Sequence, residues 1–220
     1  MLAPMVNGDA DPLSGYEYHA FLSYRRVKRW RKAIDIIHDH LEGHLQTMLG
    51  GEIAHVRVFK DTRDIDVGSD WPGELGHALA RSVVFVPVLW PEYFAPHRHW
   101  CRKELSHMLA RREQLRQASD RPPALIFPLK IVDFVLPVLQ DVQAFDVSDL
   151  PVSPLMTPRS AKSRQLEQRL HPFADQMLAT IRRPPPFDPG WVDLVTEDFS
   201  HVFTLQTATQ HDQPGLGDAA

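Results

Sequence analysis

Hydrophobic residues follow two periodicities along this chain, and the two alternate. Short apolar runs are typical of strands buried on both faces of a sheet, and they predict strands at residues 16–24, 55–59, 83–90, 124–131 and 144–147. Longer segments with an apolar residue every three or four positions predict helices at residues 30–48, 71–81, 100–116 and 166–181. Pro128 removes a backbone donor inside the fourth strand, so we expect that strand to lie at an edge or to carry a bulge.

This alternation predicts an α/β fold. Parallel strands are joined by right-handed crossovers, so the helices cover both faces of a parallel sheet. In such sheets a ligand binds beyond the carboxyl ends of the strands, where the strand order reverses. For a flavodoxin-like order this point lies between the first and third strands, which are followed by residues 23–26 and 90–93. We therefore expect the functional site there.

Composition indicates the cellular compartment in which the protein is expected. Hydrophobic residues make up 43% of the 220 residues, but the longest apolar run, at 83–90, is less than half of the ~20 residues that a membrane-spanning helix needs. The N-terminus lacks a basic start followed by an apolar run, and the single cysteine, Cys101, cannot form an internal disulfide. We therefore expect no membrane contact and a cytoplasmic location.

The net charge of −4 is unevenly distributed. Residues 184–220 begin with a proline-rich stretch and contain six acids and no lysine or arginine, which leaves about +2 on the rest. We predict a flexible N-terminus at 1–15, a domain at 16–183 and an acidic extension at 184–220. The extension either docks on the basic run at residues 25–32 or packs permanently on the domain. The negative total charge disfavours nucleic-acid binding through that run.

Several familiar catalytic motifs are missing from the sequence. It has no Walker loop, no GxGxxG and no GxSxG, which disfavours phosphoryl transfer on a P-loop and hydride transfer on a Rossmann fold. Metal-binding residue types do cluster, and two Glu-x-x-His pairs resemble half of a di-iron pattern: His97, His99, Cys101, Glu74 with His77, and Glu104 with His107. A buried strand separates the two pairs and their helices differ in length, so we predict no bound metal.

Three motifs occur in order: YHAFLSYRR from Tyr18, FKDTRDIDVGSDWPGEL from Phe59 and HWCRKEL from His99. Over residues 16–183 they resemble the Toll/interleukin-1 receptor (TIR) domain family. The first is similar to the family's strand-one box, although His19 stands where that box usually has an aspartate. The second resembles the BB loop, at residues 61–73, and the third resembles the WxxxE segment that opens the next helix.

The resemblance implies a flavodoxin-like parallel sheet of order 2-1-3-4-5 and one of two functions. Some TIR domains are noncatalytic adaptors that associate with other TIR domains. Others, including stand-alone bacterial ones, cleave NAD+ between nicotinamide and ribose to give ADP-ribose or a cyclic ADP-ribose signal. Enzymatic members retain the glutamate that matches Glu104, which favours the enzyme. The resemblance then implies NAD+ as the substrate and no cofactor. It also implies homo-oligomers that form on activation, in bacterial immune signalling.

Glu104 alone has the chemistry that this reaction needs. Nicotinamide leaves as a neutral molecule, so no general acid is required, and only the oxocarbenium-like transition state needs a nearby negative charge. Glu104 lies four residues after Trp100, on the same side of the helix and beside its apolar stripe. We therefore expect a partly exposed carboxylate that faces the cleft; the alternative is a surface glutamate in an ion pair.

The resemblance also implies a set of substrate-binding residues: Ser23, Tyr24, Arg25, Arg26, Trp71 and Trp100. Arg25 or Arg26 can offer charge and planar donors to a pyrophosphate, and the indole of Trp71 can stack on nicotinamide or adenine. The alternatives are solvated arginines at the start of a helix and, for Trp71, a tryptophan packed in the core.

Overall fold

The computed structural model describes residues 13–61, 71–95, 100–134, 139, 142–150 and 152–194, apart from the side chains of Trp71 and Pro72. The strands are β1 (Tyr18–Tyr24), β2 (Val58–Phe59), β3 (Ser82–Leu89), β4 (Leu129–Lys130) and β5 (Phe145–Asp146). The helices are α1 (Arg31–Leu49), α2 (Trp71–Ala80), α3 (Trp100–Ala118) and α4 (Ala161–Arg182). Short 3-10 turns lie at Lys28–Trp30, Pro91–Phe94 and Pro189–Trp191.

The strands form one sheet in the order β2-β1-β3-β4-β5, and every pairing is parallel. This confirms the predicted flavodoxin-like α/β fold and its strand order. The long central pair, β1 and β3, runs in register from Tyr18 opposite Ser82 to Tyr24 opposite Val88. The strand order reverses at this pair, so the carboxyl ends of β1 and β3 border the expected site.

Two apolar layers cover the sheet because successive strand residues point to opposite faces. Ala20 and Leu22 of β1 share a buried cluster with α1 and α4 residues, such as Ile37 and Leu170. Phe21 belongs to a second cluster, with residues of α2 and α3. Ser23 lies on the same side of β1 as Phe21, so the end of the strand meets α3. In the described part of the chain, no helix combines the length and the hydrophobicity that a membrane span needs.

The predicted fourth strand is much shorter than the apolar run at 124–131. Backbone hydrogen bonds still join this segment to β3, from Phe85 N to Leu125 O and from Ile131 N to Leu89 O. Pro128 has no N–H, however, and it divides the ladder into a single bridge at Ile126 and the two residues of β4. The proline therefore breaks the strand without moving it away from its position between β3 and β5.

Residues 184–194 of the predicted extension pack on the domain, at the edge of the sheet where the strands begin. Trp191 is 2% exposed and its indole nitrogen donates to Gln114 of α3 at 3.1 Å. Tyr16, just before β1, donates its hydroxyl hydrogen to Pro185 O at 2.8 Å. This edge is opposite the basic run at residues 25–32, which follows the carboxyl end of β1. Residues 195–220, with the remaining acids, lie outside the described part.

Candidate functional site

Three polar side chains meet where β1 and β3 end and α3 begins. Ser23 is the next-to-last residue of β1, Tyr93 lies in the turn after β3, and Glu104 is in the second turn of α3. The Ser23 hydroxyl donates to Glu104 Oε2 at 2.5 Å, and the Ser23 and Tyr93 hydroxyl oxygens are 2.7 Å apart. The polar group expected at the reversal of strand order is therefore present, centred on a carboxyl.

Glu104 is buried, with 7% of its surface exposed. Burial raises its pKa from the ordinary 4.5 to about 7, and the negative charge of Asp61 adds to this, while the Ser23 hydrogen bond and the Arg26 charge oppose it. The expectation of a partly exposed side chain was wrong, because the end of β1 and the turn after β3 cover this face of the helix. The alternative of a surface ion pair also does not hold, since Ser23 is its partner.

A second polar cluster lies at the ends of β1 and β2. The Tyr24 hydroxyl donates to Asp61 Oδ1 at 2.7 Å, and Arg26 donates from Nε to Asp61 Oδ2 at 2.5 Å. Arg26 Nη2 also reaches the backbone oxygen of Asp61, at 3.2 Å. Asp61 therefore links the two strand ends and fixes the guanidinium of Arg26 beside the carboxyl of Glu104.

Arg25 directly follows β1, which carries Ser23, and Trp100 begins α3, which carries Glu104. The half-buried Arg25 makes no hydrogen bond or ion pair with any residue described, but its charge lowers the pKa of the neighbouring Cys101 thiol against the larger effect of burial. Trp100 begins α3, one turn before Glu104, and Lys103 Nζ lies 5.2 Å from the centre of its ring. Trp71 begins α2, but its side chain lies outside the described part.

Two members of this site, Tyr93 and Asp61, were not predicted as site residues. Tyr93 lies in the 90–93 segment expected near the site, and Asp61 is the first residue of the predicted loop, but nothing in the sequence pairs them with Ser23 or Tyr24. Both reach the site only because strands far apart in sequence end side by side. An acidic residue two positions after a buried strand is the signal that was available for Asp61.

The predicted cluster of metal-binding residue types is only partly described. His97 and His99 lie outside the described residues, and the groups of His, Cys, Asp and Glu that are described contain no set of three placed to hold a metal. His107 is buried, and burial together with the charge of Arg111 lowers its pKa to about 4. The imidazole at that position is therefore neutral near pH 7.

Part of the basic run after β1 is already paired. Besides Arg26 with Asp61, Arg29 Nη2 lies 2.9 Å from Glu92 Oε1, in the turn after β3. Both ion pairs are partly exposed. Two guanidinium groups of the run are therefore held in ion pairs, so the run is not a continuous free basic surface.

Comparison with known proteins assigns the chain to a family. The chain matches the family model described as "TIR domain" over residues 21–154, within the predicted 16–183. No curated protein matches it significantly. Among solved structures, it is similar to the TIR domains of the activated Roq1 resistosome, which directly recognises the pathogen effector XopQ. The identity is 15%, the coverage is 88% of this chain and 99% of that one, and the TM-score is 0.37. Because the family match spans more than half of the chain, this protein belongs to the TIR domain family.

Proposed function

We propose that this TIR domain cleaves the nicotinamide–ribose bond of NAD+, with Glu104 as the catalytic carboxylate. The observation that carries the proposal is the Glu104 carboxyl itself, buried at the reversal of strand order and hydrogen-bonded to Ser23. A carboxyl with a pKa of about 7 is costly to bury, so its presence at the expected ligand position supports a chemical role.

Bond cleavage at the ribose needs little besides this negative charge. The electron pair of the C1′–N bond leaves with the nicotinamide nitrogen, which becomes neutral, and positive charge develops on the ribose. The ionised Glu104 stabilises that charge. Water then attacks C1′ and loses a proton, or an adenine nitrogen of the same molecule attacks C1′ with its lone pair. The products are nicotinamide with ADP-ribose or with cyclic ADP-ribose.

The cationic substrate also adjusts the protonation of Glu104. At neutral pH a group with a pKa of about 7 is ionised in only part of the molecules. The positive nicotinamide ring of bound NAD+ favours the charged carboxylate, so binding brings more of the protein into the active form. This coupling predicts that NAD+ binds more tightly above pH 7 than below it.

The neighbouring residues supply binding groups for the rest of the substrate. Arg25, which has no described partner, is the better placed of the two arginines to bind the pyrophosphate, whereas Arg26 is held by Asp61. Ser23 orients Glu104, and Tyr24 supports Asp61. We assign Trp71 and Trp100 to stacking on the bases of NAD+, with no cofactor beyond this substrate.

Self-association and signalling complete the proposal. We propose that copies of this TIR domain associate on activation, so that nicotinamide release per molecule rises with protein concentration, and that the product serves as a signal in bacterial immunity. The adaptor is the second candidate, and it has the same fold. The two differ in one measurable property, which is the consumption of NAD+.

The test is nicotinamide release from NAD+ by concentrated purified protein, followed by chromatography. Glu104→Gln should lower the rate by about 10²–10³-fold, because it removes the charge that stabilises the transition state and keeps the volume. Glu113→Gln is a matched control, since Glu113 lies on the same helix but is exposed. Turnover by Glu104→Gln at the wild-type rate would exclude Glu104, and no release by the wild type at any concentration would favour the adaptor.

A further inference from the structure

Tyr93 is a buried ionisable side chain to which the reaction described above gives no role. It lies in the 3-10 turn between β3 and α3, and only 1% of its surface is exposed. Its hydroxyl is 2.7 Å from Ser23 Oγ, which is in turn 2.5 Å from Glu104 Oε2. Tyr93, Ser23 and Glu104 therefore form one continuous chain of hydrogen bonds.

Which hydroxyl donates in each of these hydrogen bonds depends on whether Glu104 is ionised. Ser23 has a single hydroxyl hydrogen, so when it donates to the Glu104 carboxylate, the hydrogen between Ser23 and Tyr93 must come from Tyr93. When Glu104 is protonated and donates to Ser23, Ser23 turns toward Tyr93. The Tyr93 hydrogen is then left with the backbone oxygen of Cys101, at 3.4 Å. Only the ionised form gives every donor in the chain a short hydrogen bond.

We propose that Tyr93 is a positioning residue that acts through Ser23: its hydroxyl keeps the Ser23 hydrogen on Glu104 and so favours the ionised carboxylate. The reaction for which it does this is the NAD+ cleavage proposed above, on which this inference rests. Hydrogen bonds in a row polarise one another, so donation by Tyr93 makes Ser23 a stronger donor to Glu104. Tyr93 thereby opposes the effect of burial on the same carboxyl.

The groups around these hydrogen bonds are consistent with donation from Tyr93 through Ser23 to Glu104. Burial raises the pKa of Tyr93 well above its ordinary value, and the pKa of the Cys101 thiol is raised in the same way, so both groups stay neutral near pH 7. The charged groups that act on Glu104 are Asp61, which raises its pKa, and Arg26, which lowers it. Arg25 lies nearby, beside Cys101. None of these groups replaces the hydrogen that Tyr93 donates.

The experiment is a ¹³C NMR titration of the Glu104 side-chain carboxyl in glutamate-labelled protein, with the signal assigned by its loss in Glu104→Gln. Tyr93→Phe keeps the ring and removes only the hydroxyl, and it should raise the titration midpoint by about half a pH unit. Ser23→Ala should raise it by about one pH unit, since it removes the donor itself. In the Ser23→Ala background, Tyr93→Phe should add no further change.

Tyr16→Phe serves as the matched control. It also deletes a hydrogen-bonded tyrosine hydroxyl, but at the opposite edge of the sheet, so the Glu104 midpoint should not move. An unchanged or lowered midpoint in Tyr93→Phe, or an equal rise in the Ser23→Ala background, would overturn the proposal. If Tyr93→Phe does not fold, 3-fluorotyrosine at position 93 gives the opposite test, because a stronger donor should lower the midpoint.

Enzyme kinetics separates this inference from the proposed function. In the wild type, kcat/KM for NAD+ should fall as pH drops below about 7. In Tyr93→Phe this fall should begin at a higher pH, by the same amount as the NMR midpoint rises. The titration itself needs no turnover. A wild type that never consumes NAD+ would therefore contradict the proposed reaction, while the NMR midpoints would still decide whether Tyr93 acts on Glu104.

Discussion

The residue at the centre of the site, Glu104, could be located from the sequence but its environment could not. Helical spacing placed it beside the apolar stripe of α3, and the WxxxE resemblance singled it out. The hydrogen-bond partner, however, is Ser23, 81 positions earlier in the chain. Burial follows from contact between elements that local periodicity does not relate, so the expectation of partial exposure was wrong.

This burial predicts a pH dependence of stability. Because the fold raises the pKa of Glu104 from 4.5 to about 7, the native state holds a proton there that the unfolded chain has lost. Its contribution to the free energy of unfolding therefore falls as pH rises from about 4.5 to 7, and stays low above. Glu104→Gln should not show this loss. The free energy of unfolding of the mutant minus that of the wild type should therefore be about 2–3 kcal/mol larger at pH 8 than at pH 5.

Urea unfolding of both proteins at the two pH values measures that gain. Effects of the amide that do not depend on pH, such as an altered hydrogen bond to Ser23, cancel in the comparison. Glu113→Gln, on the exposed side of the same helix, should show no such gain. If the free energies of unfolding of mutant and wild type differ by the same amount at pH 5 and at pH 8, Glu104 has an ordinary pKa.

Among elements, the long ones were predictable and the short ones were not. Strong periodicity gave β1, β3 and α1 to within two residues at each end, and similar patterns gave α2 and α3. The predicted strand at 55–59 shrinks to the two residues of β2, since only the end of that run pairs with β1. The start of α4 was missed by five residues, because its first turns are polar and its N-cap, Ser160, needs no apolar pattern.

The convergence of β1, β2 and α3 predicts opposite effects for two charge changes. Asp61, after β2, raises the pKa of Glu104, and Arg26, after β1, lowers it. Asp61→Asn should therefore move the acid limb of kcat/KM to lower pH, and Arg26→Gln should move it to higher pH. Arg29→Gln, which breaks only the exposed pair with Glu92, should leave the limb in place. Shifts of Asp61→Asn and Arg26→Gln in the same direction would contradict this arrangement.

At the scale of the whole molecule, the least predictable feature is a buried arginine. Arg111 lies on the inner side of α3 and is fully buried, although a charged residue in that position normally predicts an outward face. Its guanidinium donates to Ser82 O at 2.7 Å and to the Tyr16 hydroxyl at 2.9 Å, and it lies 3.8 Å from the centre of the Trp191 ring. The segment after α4 thus completes the environment that makes this burial possible.

Removal of that segment should therefore destabilise the domain. A chain that ends at Arg183 loses Trp191, Phe187, which contacts Tyr16 edge to face, and the Pro185 oxygen, and so leaves Arg111 with part of its surroundings missing. Loss of a buried tryptophan alone costs about 3–5 kcal/mol, so we expect a decrease of at least about 3 kcal/mol in the free energy of unfolding.

A chain that ends at Leu194 keeps every one of these contacts and is the matched control. Urea unfolding of both truncated chains and of full-length Trp191→Ala gives the comparison. Equal stability of the two truncated chains would show that residues 184–194 only rest on the surface of the domain. A loss in Trp191→Ala close to that of the shorter chain would place most of the effect on Trp191, which contacts Arg111, Tyr16 and Gln114.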